Sequence, residues 1–180
     1  MLSVRLVVLI GVILAAAASR VIPHPPNFTP IAAMALFGGA QFADRRLAFL
    51  VPLSAMFASD LIIGLHRLLP VVYACFALIV CLGFWVRPRK SVVRIAGATL
   101  VGSVLFFVVT NFAVWAAGSL YPKTMEGLVA AYVAAIPFFR NTVLGDALYA
   151  GVLFGGFALI ESVVAVLRDN PPAPARRQTA

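Results

Sequence analysis

The chain has 180 residues, of which 63% are hydrophobic and 11% are charged, with a formal net charge of +8 at pH 7. Soluble domains are about half apolar and a quarter charged, so this composition excludes an ordinary soluble fold and predicts an integral membrane protein. The basic residues lie between apolar runs, which indicates control of membrane topology and excludes a nucleic-acid interface.

The first half of the chain contains four apolar segments that we expect to be helical. They cover residues 3–19, 30–43, 47–64 and 70–86, and the second of them is short. Four prolines between residues 20 and 30 prevent a continuous helix and predict a rigid, extended loop. The first segment also imitates a secretory signal peptide, although its apolar run with Gly, Ala and Ser favours a transmembrane helix.

The second half contains two further apolar segments, residues 94–117 and 141–167. Pro122 and Pro137 interrupt the stretch between them, so we expect a long loop with a short interfacial helix there. The expected fold class is therefore an all-α integral membrane protein with a bundle of six transmembrane helices.

Domain limits and orientation follow from the same segments. Residues 1–168 are expected to form a single transmembrane domain, and the proline-rich residues 169–180 to form a disordered cytoplasmic tail. Six spans place both termini on one side of the membrane. Most of the 14 basic residues fall in the connections on that side, so the positive-inside rule assigns both termini to the cytoplasm.

Polar side chains of four predicted helices converge in the outer half of the membrane. A rise of about 1.5 Å per residue from each cytoplasmic end places Asp60, Cys75 and Asn111 there, with Asp146 near the outer surface. Ionisable groups are costly in a bilayer and usually face a partner or a cavity. The aromatic and amide residues expected at this level are Tyr73, Trp115, Tyr121, Phe138, Phe139, Asn141 and Tyr149. This combination predicts a pocket for a flat or partly apolar small molecule.

Several of these residues also have simpler structural interpretations. Asp60 and Asp146 can cap helices or pair with Arg67 and Arg140, and Asn111 can bond to a neighbouring helix. The aromatic residues can belong to an interfacial belt, which is common in membrane proteins.

The histidines and cysteines leave further alternatives open. His24 in the proline loop and His66 in the next outer link can ligate a metal, although loop histidines are more often solvated. Cys81 lies at inner depth among apolar residues and is expected to pack as a small apolar side chain. Cys75, two residues from Tyr73, can offer a thiolate to a soft metal centre or be another buried small residue.

The first helix and the absent motifs bear on partners and chemistry. Gly11, Ala15 and Ser19 follow a four-residue spacing that allows close helix contact, either within the bundle or with another membrane subunit. No phosphate-binding loop and no hydrolase or zinc-protease motif occurs, so the sequence gives no specific support for a nucleotide motor or a hydrolase.

Five stretches together resemble a family of small bacterial membrane proteins related to the substrate-binding S components of energy-coupling factor (ECF) transporters. They are PHPPNFTPIAAMALFGGA, SDLIIG, VTNFAVW, YPKTMEGLVAAYVAAIPFFRNTVLGD and YAGVLFG, within residues 20–160. The resemblance implies a multi-pass protein of the bacterial inner membrane with six helices and cytoplasmic termini. It also implies a short second helix that leads through a tight turn into the third, with outer loops closing over a pocket.

S components bind vitamins and related micronutrients, and solitary cobalamin-specific members look most similar because they use a membrane cysteine as a cobalt ligand. By depth and placement, Cys75 matches that cysteine. The resemblance therefore implies uptake of a micronutrient, with cobalamin as the expected ligand and a Cys75 thiolate on cobalt. It implies no intrinsic cofactor, and it leaves open a secondary reaction at the axial position of the bound corrinoid.

The expected site combines the pocket residues with the outer loops. The residues expected to form its walls are Tyr73, Trp115, Phe138 and Phe139. The residues expected to bond polar substituents of the ligand are Asp60, Asn111, Asn141 and Asp146. The residues expected in the lid loops are His24, Asn27, Phe28 and Tyr121.

The expected partners are the nutrient, the lipid bilayer and an ECF membrane and ATPase module, which would dock on the first helix through Gly11, Ala15 and Ser19. Two other classes of function remain open. One is a membrane scaffold in cell-envelope assembly, which would bind no ligand. The other is a membrane enzyme with Asp60 or Asp146 as its base.

Overall fold

The computed structural model describes residues 3–164 and 167, and the regular elements in these residues are all helical. The helices are α1 (Val4–Ala18), α2 (Ile31–Gln41), α3 (Arg45–Ile63), α4 (Leu69–Val86), α5 (Val92–Ala117), α6 (Met125–Ala150) and α7 (Gly156–Val163). A 3₁₀ turn, Ser19–Val21, extends α1, and a π-helical turn, Gly151–Gly155, joins α6 to α7 without a break. The expected disordered tail, residues 169–180, lies outside the described residues.

Five of the helical segments are long and apolar enough to cross a membrane, with mean hydropathies between 1.7 and 2.4. The last of them is the continuous 39-residue segment Met125–Val163, which comprises α6, the π turn and α7. The helix α2 is apolar but too short to span a bilayer. The described residues therefore form a helical bundle of five long segments and one short helix, as expected of a multi-pass membrane protein.

Side-chain caps fix where four of the helices begin. Ser3, Asp44, Ser91 and Thr124 precede α1, α3, α5 and α6. Each accepts a hydrogen bond from a backbone N–H in the first turn of its helix, a group that has no partner within the helix.

The short helix α2 forms the centre of the bundle. All 11 of its residues are buried, and it packs against α1, α3, α4, α5 and α6. Two glycines on facing helices let α2 and α4 approach closely. A Cβ atom on Gly39 would lie 2.1 Å from the Val80 carbonyl oxygen, and one on Gly83 would lie 2.4 Å from the Leu36 carbonyl oxygen. The α2–α4 contact is therefore a backbone contact that tolerates no side chain.

Arg87, directly after α4, satisfies the carbonyl groups at the end of α2. Its Nε and Nη2 atoms donate to the Gly39 carbonyl oxygen at 3.1 and 2.9 Å, and Nη1 donates to the Ala43 carbonyl oxygen at 3.2 Å. A cation at a helix C-terminus also interacts favourably with the helix dipole. The apolar core therefore contains a short helix whose C-terminal carbonyls are bonded to a charged side chain.

The expected loop between the fifth and sixth segments is wrong for most of its length. The connection after α5 ends at Thr124, and α6 then runs from Met125 to Ala150 with Pro137 inside it. Membrane helices tolerate proline because neighbouring groups and local adjustments satisfy the freed carbonyl. The expected position of Asp146 near the outer surface is also wrong, since its carboxylate meets Ser103 in the middle of α5.

Contacts at the two ends of the bundle show which segments lie together. At one end, Arg5 of α1 forms an ion pair with Glu161 of α7 and donates to the side chain of Gln41 at the end of α2 at 3.1 Å. At the other end, the proline loop lies against α6, where Asn141 Nδ2 donates to the Pro26 carbonyl oxygen at 3.0 Å. The start of α1 and the end of α7 therefore share one end of the bundle, opposite the proline loop.

Candidate functional site

A cavity of about 370 Å³ lies beneath the proline loop, between α2, α4, α5 and α6. Its aromatic walls are Phe76, Phe106, Phe107, Phe138 and Phe139. Its polar lining residues are Arg20, Asn27, Thr29, His66, Thr110, Asn111, Thr142 and Asp146. Aromatic walls with a few converging polar groups are typical of small-molecule sites, so this cavity is the candidate site. We call it the outer cavity, after the membrane orientation that the sequence predicts.

Arg20, at the end of α1, enters the outer cavity as a buried cation held by α3 and α4. Its Nη2 atom lies 2.7 Å from Asp60 Oδ1, and Tyr73 donates its hydroxyl proton to Asp60 Oδ2 at 2.8 Å. Its Nη1 atom donates to the Met56 carbonyl oxygen at 3.2 Å and to the hydroxyl of Ser59. Asp60 therefore pairs with Arg20, and not with Arg67.

One nitrogen of Arg20 remains without a partner. The side chain is only 10% exposed, yet its Nε atom is buried without a hydrogen-bond partner among the described residues. A buried donor without an acceptor costs about 1–3 kcal/mol, so such groups in native proteins usually mark a water or ligand position. Arg20 thus presents one unused donor in a residue that lines the cavity.

Asp146 supplies a buried carboxylate from α6. It is 3% exposed and lines the outer cavity, and Ser103 Oγ lies 2.6 Å from its Oδ2 atom. The same hydroxyl also lies 3.1 Å from the Thr99 carbonyl oxygen. A hydroxyl has one proton, so Ser103 either donates it to Asp146 or donates it to the Thr99 carbonyl oxygen and accepts a proton from a neutral Asp146. In both cases the carboxyl group is hydrogen-bonded at a depth where an isolated charge is costly.

The proline loop forms the roof of the outer cavity. Asn27 lines the cavity with a positive φ of 63°, a conformation that Asn adopts more readily than most residues. The ring of Phe28 packs 6.1 Å from that of Tyr149. Backbone atoms of Phe28 lie so close to α6 that a Cβ atom on Gly145 would lie 3.1 Å from the Phe28 Cα atom. The loop is thus anchored to α6 on both sides of Asn27.

A second cavity of about 520 Å³ lies between α5 and the α6–α7 segment. Its lining is mainly apolar, with Gln41, Lys90 and Glu161 at the end near the chain termini. We call this second cavity the inner groove. Ser103 lines it, whereas the hydrogen-bond partner of Ser103, Asp146, lines the outer cavity. The hydrogen bond between these two residues therefore separates the two spaces.

The structure places five residues of the expected site in the lining of the outer cavity: Asn27, Asn111, Phe138, Phe139 and Asp146. His66, one of the two histidines that could ligate a metal, lines it as well. Four others support the cavity from behind. Asp60 pairs with Arg20 and accepts a hydrogen bond from Tyr73, while Phe28 and Asn141 contact or belong to the anchor of the proline loop on α6. The amide of Asn111 donates to the Phe107 carbonyl oxygen of its own helix at 2.8 Å.

Four further residues of the expected site also lie outside the lining of the outer cavity. Trp115 donates its indole N–H to the Pro122 carbonyl oxygen at 2.9 Å, so it packs on the loop after α5. Tyr121 belongs to that same loop, and His24 is exposed, with its Nδ1 atom 2.9 Å from the Pro25 carbonyl oxygen. Cys75 is 1% exposed and does not line the cavity, although the adjacent Phe76 does.

The second cysteine and the possible metal ligands can also be located in the structure. Cys81 is exposed on the surface of the bundle, so the expectation that it packs in the interior is wrong. Within residues 3–164 and 167, no group of three or more His, Cys, Asp and Glu side chains is placed to hold a metal ion.

Sequence reasoning missed several residues that form the outer cavity. The cavity residues in this group are Arg20, Thr29, Phe76, Phe106, Phe107, Thr110 and Thr142. Arg20 could have been found from the sequence, because a basic residue directly after an apolar helix can place its side chain back against the bundle. Ser103 could have been found too, since a hydroxyl in the middle of an apolar span needs a partner.

Comparison with known proteins gives a family and no activity. No curated protein and no solved structure matches the chain. The model of a family of unknown function, DUF6580, matches residues 2–169. The chain therefore belongs to the DUF6580 family.

Proposed function

We propose that this protein is a membrane carrier of the S-component type that binds a small micronutrient in the outer cavity. The observation that carries the proposal is the cavity itself, which combines phenylalanine walls with the buried side chains of Arg20 and Asp146 in one lining. The resemblance to ECF S components supports the same assignment.

The size of the cavity restricts the ligand. Pockets for small molecules range from about 300 to 1,000 Å³, and about 370 Å³ is near the lower limit. A vitamin-sized heterocycle or a comparable nutrient suits this volume. Cobalamin is much larger, so its binding requires the proline loop to lift away. It also requires Cys75 to turn from its buried position to reach cobalt.

The face of α1 that points away from the bundle suits the expected docking to an ECF module. Gly11 and Ala15 are exposed, and a Cβ atom on Gly11 would meet no atom within 4 Å. Small exposed residues on a membrane helix permit close contact with a second helix. Docking of an ECF module at this face is part of the proposal.

Filling the cavity tests the proposal. The protein is purified in nanodiscs from its native membranes, and small molecules that remain bound are identified by native mass spectrometry. Asn111→Trp fills the cavity without breaking a contact between helices, because Asn111 bonds only to its own helix. We expect the wild-type protein to retain a small molecule and Asn111→Trp to lose it.

The adjacent substitution Phe112→Trp provides the matched control, because Phe112 is 50% exposed and is not in the cavity lining. It should retain the ligand. Equal retention by both variants would place the ligand elsewhere, and a wild-type protein without any bound small molecule would favour a scaffold. A visible corrinoid absorption band that is lost in Cys75→Ser would assign cobalamin despite its size.

A further inference from the structure

We infer that the ligand of the outer cavity is a small organic cation whose positive group pairs with Asp146 and packs against the phenylalanine rings. This inference rests on the proposed function, because it names the class of substrate for the same site. The ligand classes that fit are quaternary ammonium compounds, amines and cationic nitrogen heterocycles.

The first argument is the missing partner of Asp146. The carboxylate is 3% exposed, and among the described residues the hydroxyl of Ser103 is its one recorded side-chain partner. No Lys, Arg or His of the described chain lies within ion-pair distance of it. A buried carboxylate is unfavourable as an isolated charge and is neutral unless a cation pairs with it, and inside a membrane such a group often serves a ligand or an ion. A cationic ligand would supply the missing charge.

The second argument is the charge balance around the cavity. The other charged group in its lining, Arg20, is already neutralised by Asp60, with 2.7 Å between Nη2 and Oδ1. Tyr73 bonds to the same carboxylate through its neutral hydroxyl. His66 lies in an exposed link at the edge of the cavity. Asp146 is therefore the one acidic group in the described lining without a basic partner, and a positive ligand would pair with its ionised form.

The third argument is the aromatic lining. Phe76 and Phe106 stack with their ring centroids 5.3 Å apart, and the centroids of Phe107 and Phe139 lie 4.6 Å apart. The faces of aromatic rings attract cations, and a cage of such rings is the usual site for quaternary ammonium groups. Neutral rings alone would accept any apolar ligand. Rings combined with an unpaired carboxylate distinguish a cation from its neutral isostere.

The test compares cations with neutral molecules of the same shape. Wild-type protein in nanodiscs is titrated by calorimetry with choline and with its carbon isostere 3,3-dimethylbutan-1-ol. A second pair is 1-methylnicotinamide and nicotinamide. We expect each cation to bind at least about ten-fold more tightly than its neutral counterpart, since both a charge pair and cation–π contacts favour it.

Substitutions then assign the charge preference to one residue. Asp146→Asn keeps the size of the side chain and removes its charge, so the preference for cations should disappear. Ser103→Ala removes the hydroxyl partner but keeps the carboxylate, so the preference should persist. Glu126→Gln removes an exposed carboxylate at the start of the same helix and should change nothing. Size-exclusion profiles and intrinsic tryptophan fluorescence verify that each variant is folded.

Three results would overturn the inference, and they are distinguishable. Equal binding of the neutral isosteres would reject a cationic ligand but keep the cavity as a binding site. A cation preference that survives in Asp146→Asn would reject the role of that carboxylate. Absence of binding by all four probes, in a protein that retains a small molecule which Asn111→Trp loses, would reject the cationic class and keep the proposed function.

Discussion

Arg20, Asp60 and Tyr73 form the polar support of the outer cavity. The arginine leaves the end of α1, the aspartate comes from α3 and the tyrosine from α4, so three helices meet in one charge pair and one hydrogen bond. Both charged side chains are at least nine-tenths buried. A buried pair of this kind contributes little net stability, but removing one partner leaves an uncompensated charge.

The substitution Asp60→Asn should therefore destabilise the protein strongly. It removes the counter-charge of Arg20, and the loss expected for a buried pair is about 3–5 kcal/mol in the free energy of unfolding. Tyr73→Phe removes only the hydroxyl bond to the same carboxylate and should cost about 1 kcal/mol. Denaturant unfolding in detergent micelles measures both. Similar losses in the two variants would contradict the ion pair.

At the scale of single residues, sequence depth predicted the cavity in part. The residues Asn111, Phe138 and Phe139 line it, whereas Cys75 does not. Asp146 lines it from a deeper level than the count predicted. Counting residues along a helix gives a height but no direction around the axis. The helix α4 has a mean hydropathy of 2.4, so it is apolar on every side and gives no sequence signal for the orientation of Cys75.

At the scale of elements, the close contact of α2 and α4 determines the position of the central helix. The contact depends on Gly39 and Gly83, where any side chain would overlap the facing backbone. Because α2 carries Ile31 and Ala32 into the cavity lining, a shift of this helix would also change the site.

The substitutions Gly39→Ala and Gly83→Ala should each separate the two helices. Overpacking of a close contact costs about 1–3 kcal/mol in the free energy of unfolding. Gly97→Ala on α5 is the control, because its Cβ atom would meet nothing within 4 Å and alanine favours helix by up to about 1 kcal/mol. The midpoint of thermal unfolding in nanodiscs should fall for the first two and not for the third. A fall of equal size in all three would refute the contact.

The proline loop is a second element with a defined anchor. Asn141 holds it through the bond to the Pro26 carbonyl oxygen. In Asn141→Ala that bond is lost, and the Phe28 N–H, which donates to the Pro25 carbonyl oxygen at 3.0 Å, should exchange with deuterium several times faster. Leu144→Ala on the same helix, a residue that is 59% exposed, provides the control. Unchanged exchange in the loop of Asn141→Ala would show that other contacts hold it.

The residue ranges of the helices could be predicted well where a continuous apolar run ends at polar residues. The expected segments 30–43 and 70–86 correspond closely to α2 and α4. The start of the sixth helix could not be predicted, because a proline such as Pro137 breaks helices in soluble proteins but is tolerated inside membrane bundles. The sequence does not distinguish the two cases. The burial of α2 on all sides is also a tertiary property that its composition does not specify.

At the scale of the whole molecule, basic residues gather at one end of the bundle. The connections between α2 and α3 and between α4 and α5 share this end with the start of α1. The basic residues in these two connections and in the adjoining helical turns are Arg45, Arg46, Arg87, Arg89, Lys90 and Arg94. The positive-inside rule therefore predicts that this end faces the cytoplasm and that the proline loop faces outward.

Cysteine labelling in intact cells measures that orientation. In a background with Cys75→Ser and Cys81→Ser, Lys123→Cys should react with a membrane-impermeant maleimide. Arg89→Cys should react only after the cells are opened. Both positions are exposed, so a difference reports the side of the membrane and not burial. The opposite labelling pattern would show that the protein has the inverse orientation, with the cavity on the cytoplasmic side.

A crystal structure of the protein with its retained ligand tests the central claim most directly. We expect ligand density beneath the proline loop, against the rings of Phe107 and Phe139 and within bonding distance of the Asp146 carboxylate. Density in the inner groove between α5 and α6–α7, or an outer cavity that stays empty in the ligand-loaded protein, would contradict it.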